Sequence, residues 1–138
     1  MRVVVDTNVL VSGLLTPFGP PSQIVRMIAS GALTLCHDQR ILTEYSEVLL
    51  RPKFPFEPEA VGALLDQIEA VGEVVASDPL PIPLPDDDDH PFLEVALSAK
   101  ADALVTGNLK HYPSKARRGM IVLSPADFLE HFRRSRVE

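Results

Sequence analysis

Four groups of oxygen-bearing side chains, far apart in the chain, have the types and placement to hold a hard cation. Asp6 closes the apolar run Val3-Val4-Val5, and Glu44 lies in a stretch with helical periodicity. Asp86-Asp87-Asp88-Asp89 is an unbroken acidic run, and Gly107-Asn108 follows Ala103-Leu104-Val105-Thr106. Carboxylates brought into one cleft repel, and they stay ionised together only if cations neutralise them or some take up protons. Oxygen donors without cysteine select Mg2+ or Mn2+. One or two such ions on a phosphodiester can activate water and stabilise the leaving oxygen, so the expected chemistry is metal-assisted phosphodiester hydrolysis.

Each residue also has a plainer reading. Asp6 could serve a strand-end turn, and any one aspartate of the run could cap a helix, although one cap needs only one Asp. Glu44, Glu47 and Glu94 fall on helical stretches, where glutamate is usually solvated, and the last two are expected to be exposed. His37, His90, His111 and His131 lack a zinc-ligand spacing. Lys110, His111, Lys115, Arg117 and Arg118 fit a solvated loop or a phosphate-contacting rim equally well.

Positioning these groups requires an alternation of strands and helices. Val3–Val5 reads as a buried central strand. After the loop Thr16–Pro21, Ser22 is placed to cap a helix with Ile24, Val25 and Ile28 inward that stops at Gly31. Leu33–Cys36 forms a second strand. Ile41, Leu42, Tyr45, Val48 and Leu49 mark a helix ended by Pro52, and Pro58 opens another with Val61, Leu64, Leu65, Ile68 and Val71 inward. Glu73–Ala76 is a third strand. In Asp78–Pro85 proline at every second position forces an extended connector, which delivers the aspartates to a helix starting near Pro91. Ala103–Thr106 and Met120–Leu123 are the last strands, and Ser124-Pro125 opens a final helix. The expectation is a single α/β domain over residues 1–138, a three-layer α/β/α sandwich with a central parallel sheet of about five strands. In such a sheet ligands bind beyond the carboxyl ends of the strands, where all four groups project.

Composition narrows the class further. With 46% hydrophobic and 23% charged residues in 138, the chain is too apolar for disorder. No apolar run reaches the ~18–20 residues of a membrane span, and an aspartate at position 6 is too early for a signal peptide, so a cytoplasmic location is expected. The lone Cys36 excludes an intrachain disulfide and reads as core. The net charge of −6 argues against nucleic acid until its distribution is considered. Residues 1–105 carry 6 basic and 16 acidic groups, a net of −10, whereas residues 106–138 carry 7 and 3, a net of +4. No Gly-rich loop supports dinucleotide or P-loop binding. A phosphatase of the aspartate type would want a second Asp at position 8, which is Asn8, and a receiver would carry its Asp after the third strand, where the proline connector lies.

The segments Val3-Val4-Val5-Asp6-Thr7-Asn8-Val9-Leu10, Leu42-Thr43-Glu44, Asp86-x-x-Asp89-x-x-Phe92-Leu93-Glu94-x-Ala96-Leu97 and Ala101-Asp102-Ala103-Leu104-Val105-Thr106-Gly107-Asn108 resemble, in order and spacing, the PIN domain. More narrowly they are similar to the VapC-like ribonuclease toxins of bacterial type II toxin–antitoxin pairs. The resemblance runs from Met1 to about His131. It implies Asp6, Glu44 and Asp89 as catalytic, metal-binding carboxylates, with Asp86 as an auxiliary ligand. Where the family often has a further Asp, this chain has Asn108, whose amide oxygen can still ligate a hard cation, so one- and two-metal chemistry both stay open. Thr7, Asn8 and Thr106 would support the carboxylates by hydrogen bonding. An RNA substrate, contacted by Lys110, Lys115, Arg117 and Arg118, an antitoxin covering the groove and a homodimer complete the expectation. The alternative is a catalytically silent PIN-like module that binds RNA or a protein, with Asn108 marking the loss.

Overall fold

The computed structural model describes residues 1–137. Five parallel strands form one sheet in the order β3-β2-β1-β4-β5, comprising β1 (Arg2–Val5), β2 (Thr34–His37), β3 (Glu73–Val74), β4 (Ala103–Val105) and β5 (Val122–Leu123). β1 is central because Val3, Val4 and Val5 tolerate burial on both faces, and all three have no exposed surface. Its register against β4 pairs Val5 with Val105, which sets the ends of the two strands side by side.

Among the described residues six helices cover the sheet: α1 (Thr7–Leu15), α2 (Pro20–Ala29), α3 (Gln39–Leu49), α4 (Pro58–Val71), α5 (His90–Ala99) and α6 (Pro125–Val137). From β1 the chain steps outward to β2 and then β3, and it returns past β1 to β4. Right-handed crossovers running in opposite directions place their helices on opposite faces. Thus α5 lies across β1, β2 and β4, while α2 packs with α1, α4 and α6, the last also touching β4 and β5. One apolar core joins the layers, from Val9, Ile24 and Ile28 through Leu35 and Leu104 to Phe92 and Leu93. Cys36 is part of it, fully buried and free.

One element has no local signal in the sequence, and two expectations need correction. Thr7–Leu15 is helical, and its run, apolar or small apart from Asn8, offers no charged face to periodicity. Gly13 is what lets this helix cross α2, since a Cβ there would stand 2.6 Å from the Pro21 carbonyl oxygen and from Val25 Cγ2. Ser22 does not cap α2: Gly19 occupies that position with Pro20 at the first turn, and the Ser22 hydroxyl donates to the Pro17 carbonyl at 3.0 Å. Glu94 is buried, 7% exposed, because it holds the proline connector. It accepts from the Leu80 N–H at 2.7 Å and from Arg40 at 2.7 Å, while Leu80 and Leu84 sink into the core.

Candidate metal centre

Asp6 follows β1 and stands at the start of α1 without using its side chain to cap that helix. Its Oδ2 instead accepts from the Thr106 hydroxyl at 3.0 Å and the Tyr112 hydroxyl at 3.1 Å, both from the segment after β4. Only 5% exposed, the carboxyl has its pKa raised by burial, which these two donors oppose but do not cancel.

Glu44 is brought alongside by two local features. Asp38 caps α3 by accepting from the Ile41 N–H at 3.0 Å, and Tyr45, fully buried, donates its hydroxyl to the Val5 carbonyl at 2.5 Å. That bond ties the helix to the residue just before Asp6. The Thr7 hydroxyl then donates to Glu44. Burial raises the Glu44 pKa; the Thr7 bond lowers it, and the nearby charges of Asp6, Asp88 and Asp86 push it up again.

The acidic run forms a 3-10 turn, Asp87–Asp89, that leads into α5. Asp86 Oδ1 caps it by accepting from the Asp88 N–H at 3.0 Å, so the capping role falls to one aspartate of the four. His90 pins the turn to the connector: its ring nitrogens face the Asp87 and Ile82 carbonyls at 3.0 and 3.1 Å. Burial opposes a charge on this ring, but the two carbonyls together with the Glu94 and Asp87 charges outweigh it and raise the pKa. Asp89, 6% exposed, turns inward, and its Oδ2 is buried without an aligned hydrogen-bond donor. Burial, then Asp6 and Asp86, push its pKa up to about 6, against the opposing effect of His111. His111 Nδ1 lies 2.9 Å from that oxygen.

These groups line one open cleft of about 330 Å³, with Asp6, Glu44, Asp86, Asp88, Asp89, Asn108 and His111 on its walls and Phe54 at its rim. Neither lysine nor arginine lines it. Thr7 and Thr106 bond to carboxylates as expected, but Asn8 does not: its Oδ1 accepts from the Gly107 N–H at 3.3 Å and so clamps the loop after β4. Lys110 and Lys115 are exposed on the two short turns after that loop. Arg117 donates to the Tyr112 and Leu109 carbonyls at 2.6 and 3.3 Å, which holds the turn bearing His111. Arg118 lines separate surface hollows with Leu97, Lys100 and Asp102. Sequence reasoning passed over Tyr112, Tyr45 and Phe54 as site residues. Phe54 stacks on Phe56 with ring centroids 5.4 Å apart, and the Lys53 ammonium sits 5.1 Å from its ring.

Fold and cleft together define an α/β/α protein with an acidic site at the carboxyl edge of a parallel sheet. The family model for the PIN domain matches residues 2–110, and the chain belongs to that family. An uncharacterized protein of Methanocaldococcus jannaschii is 28% identical over 111 residues, which cover 78% of this chain and 71% of the relative. Among solved structures, a chain of VapBC2 from Rickettsia felis, bound to a DNA fragment from their promoter, is similar with a TM-score of 0.61. The match spans 90% of this chain and 98% of that one at 17% identity.

Proposed function

We propose that this PIN-domain protein is a divalent-metal-dependent endoribonuclease and the toxin of a toxin–antitoxin pair. The observation that carries this reading is the gathering of Asp6, Glu44, Asp86, Asp88 and Asp89 around one cleft whose lining includes no lysine or arginine. Burying carboxylates costs free energy unless opposite charge meets them, and the buried Oδ2 of Asp89 has no aligned hydrogen-bond donor, only the His111 ring beside it. Asp6, Glu44 and Asp89 would hold Mg2+ or Mn2+, with Asp86 and Asn108 as further oxygen donors. When bound, the ion supplies Lewis acidity and a lowered pKa for a water nucleophile.

The chain's own residues do the rest. Thr106 and Tyr112 fix Asp6 in one orientation, and Thr7 does the same for Glu44. Lys110 and Lys115, exposed on the turns after β4, offer phosphate contacts, with Arg117 acting through the turn it holds. Phe54, backed by Phe56 and Lys53, gives an unpaired base a surface to stack on, which favours single-stranded RNA. The likeness to VapBC2 supports an antitoxin partner, and the family resemblance a homodimer.

Purified protein should cut single-stranded RNA only with a divalent cation. Asp6→Asn should slow cutting at least about a hundredfold, since it removes a charge from the ion's surroundings. Metal-dependent cleavage at full rate in that variant would overturn the assignment. Co-purification with, and inhibition by, the product of an adjacent small reading frame tests the toxin half separately.

A further inference from the structure

We propose that His111 is a metal ligand: with Asp86 and Asp89 it forms one divalent-cation position whose imidazole nitrogen sets a preference for Mn2+ and Co2+ over Mg2+. The inference deepens the nuclease reading and rests on it only for the presence of a cation. Asp86, Asp89 and His111 each place one ligand atom so that all three lie within 4.8 Å of one another. Donors at ~2.1 Å on opposite sides of an ion stand about 4.2 Å apart, so atoms no more than 4.8 Å apart need draw in by little to hold one ion.

An ion pair between His111 and Asp89 is the plainer account, and two features speak against its sufficiency. Nδ1 is close to Oδ2 at 2.9 Å, yet the approach is not aligned as a hydrogen bond, so the buried oxygen is met by a neighbouring charge and by no aligned donor. An imidazole can bring at most one positive charge to a wall that holds five carboxylates.

Why the ring should matter follows from donor chemistry. Mg2+ takes oxygen ligands almost alone, whereas imidazole suits the later first-row ions, with affinity rising from Mn2+ through Co2+. The turn is also built to keep the ring in place: Leu109–His111 is a single 3-10 turn, and the Arg117 guanidinium ties the Leu109 and Tyr112 carbonyls on either side. The side chain is 37% exposed, so its removal leaves no large hole in the core.

The test is calorimetric titration of the whole chain, without RNA, with MgCl2, MnCl2 and CoCl2, for the wild type, His111→Ala and His111→Gln. The visible absorption of the Co2+-loaded protein is recorded in parallel. The expected result is Mn2+ and Co2+ affinity about tenfold or more above Mg2+ in the wild type, lost in both variants while Mg2+ affinity changes little. The Co2+ band should shift when the nitrogen donor goes. Unchanged Mn2+-to-Mg2+ ratios and an unchanged Co2+ spectrum in the variants would overturn the proposal and leave the nuclease reading standing. A shifted preference in a protein that cuts no RNA would sustain His111 as a ligand and remove the nuclease reading.

Discussion

At the scale of single residues, position in the fold separates side chains that the sequence presents alike. Four aspartates in a row differ by their backbone setting: Asp86 caps, Asp87 faces solvent, Asp88 lines the cleft and Asp89 is buried. Counting back from Phe92-Leu93 singles out Asp89, because the helix that buries those two residues also turns its own first turn inward. Tyr112 carried no such signal; it follows a turn, and only the three-dimensional course of the chain shows that its hydroxyl reaches Asp6. His37 is the residue whose chemistry the site leaves unused. It is fully buried at the end of β2, and among the described residues neither ring nitrogen has an aligned hydrogen-bond partner. Ile68, Glu69 and Gly72 of the α4 end and Asp38 of the α3 start surround it. Burial lowers its pKa, and the Glu69 charge, the Ile68 backbone and the Asp38 charge only partly oppose this. A depressed histidine pKa means that the unfolded chain protonates first as pH falls below about 6.5, so stability drops from there through the lower folded value. Urea midpoints at pH 7 and pH 5 should therefore show His37→Leu gaining on the wild type as pH falls, with a limiting slope of about 1.4 kcal/mol per pH unit. In metal-free protein the raised pKa values of Asp6, Glu44 and Asp89 act in the opposite sense, and they cancel in the comparison of the two proteins.

At the scale of elements, the proline connector and Glu94 together decide where the acidic turn sits. Alternating prolines keep the segment extended, and the buried Leu80 and Leu84 fasten it to the core. Glu94 adds the only polar anchor found for the Leu80 N–H among the described residues. Glu94→Ala should lower stability by about 1.5–3 kcal/mol, the range for hydrogen bonds to a charged group, with the pair to half-exposed Arg40 adding little. Equilibrium denaturation measures the loss, and a variant as stable as the wild type would show that the connector is held by its leucines alone. The five strand segments, the helices α3 to α5 and the start of α6 were legible because β-branched runs, i to i+4 periodicity and Pro or Ser caps are local signals, whereas the order of the strands in the sheet is not local. α1 was not legible, since its exposed positions include Leu14 and Leu15 and no charged residue, so its outer face has no polar stripe for periodicity to reveal.

At the scale of the whole molecule, segregation of charge replaces net charge as the useful quantity. A cleft that repels itself when empty makes the folded state a better cation binder than the unfolded chain, so divalent ions should stabilise it by mass action. At a hundred times the dissociation constant the gain is about 2.7 kcal/mol, which corresponds to a rise in Tm of about 9 °C for a chain of this size. Calorimetric scans with and without MnCl2 check this, and a flat Tm at saturating Mn2+ would contradict it. Among the described residues no helix is long and apolar enough to cross a membrane. The sheet order has a consequence for the chain as it is made. β1 is synthesised first but becomes the centre of the sheet only when β4 arrives beside it, and the donors to Asp6 and the ring of His111 come later still. A ribosome that has already produced Asp6, Glu44 and the acidic run therefore carries a nascent chain with no assembled cation site. For the proposed nuclease, the site is complete only after Tyr112 has emerged and folded back onto Asp6.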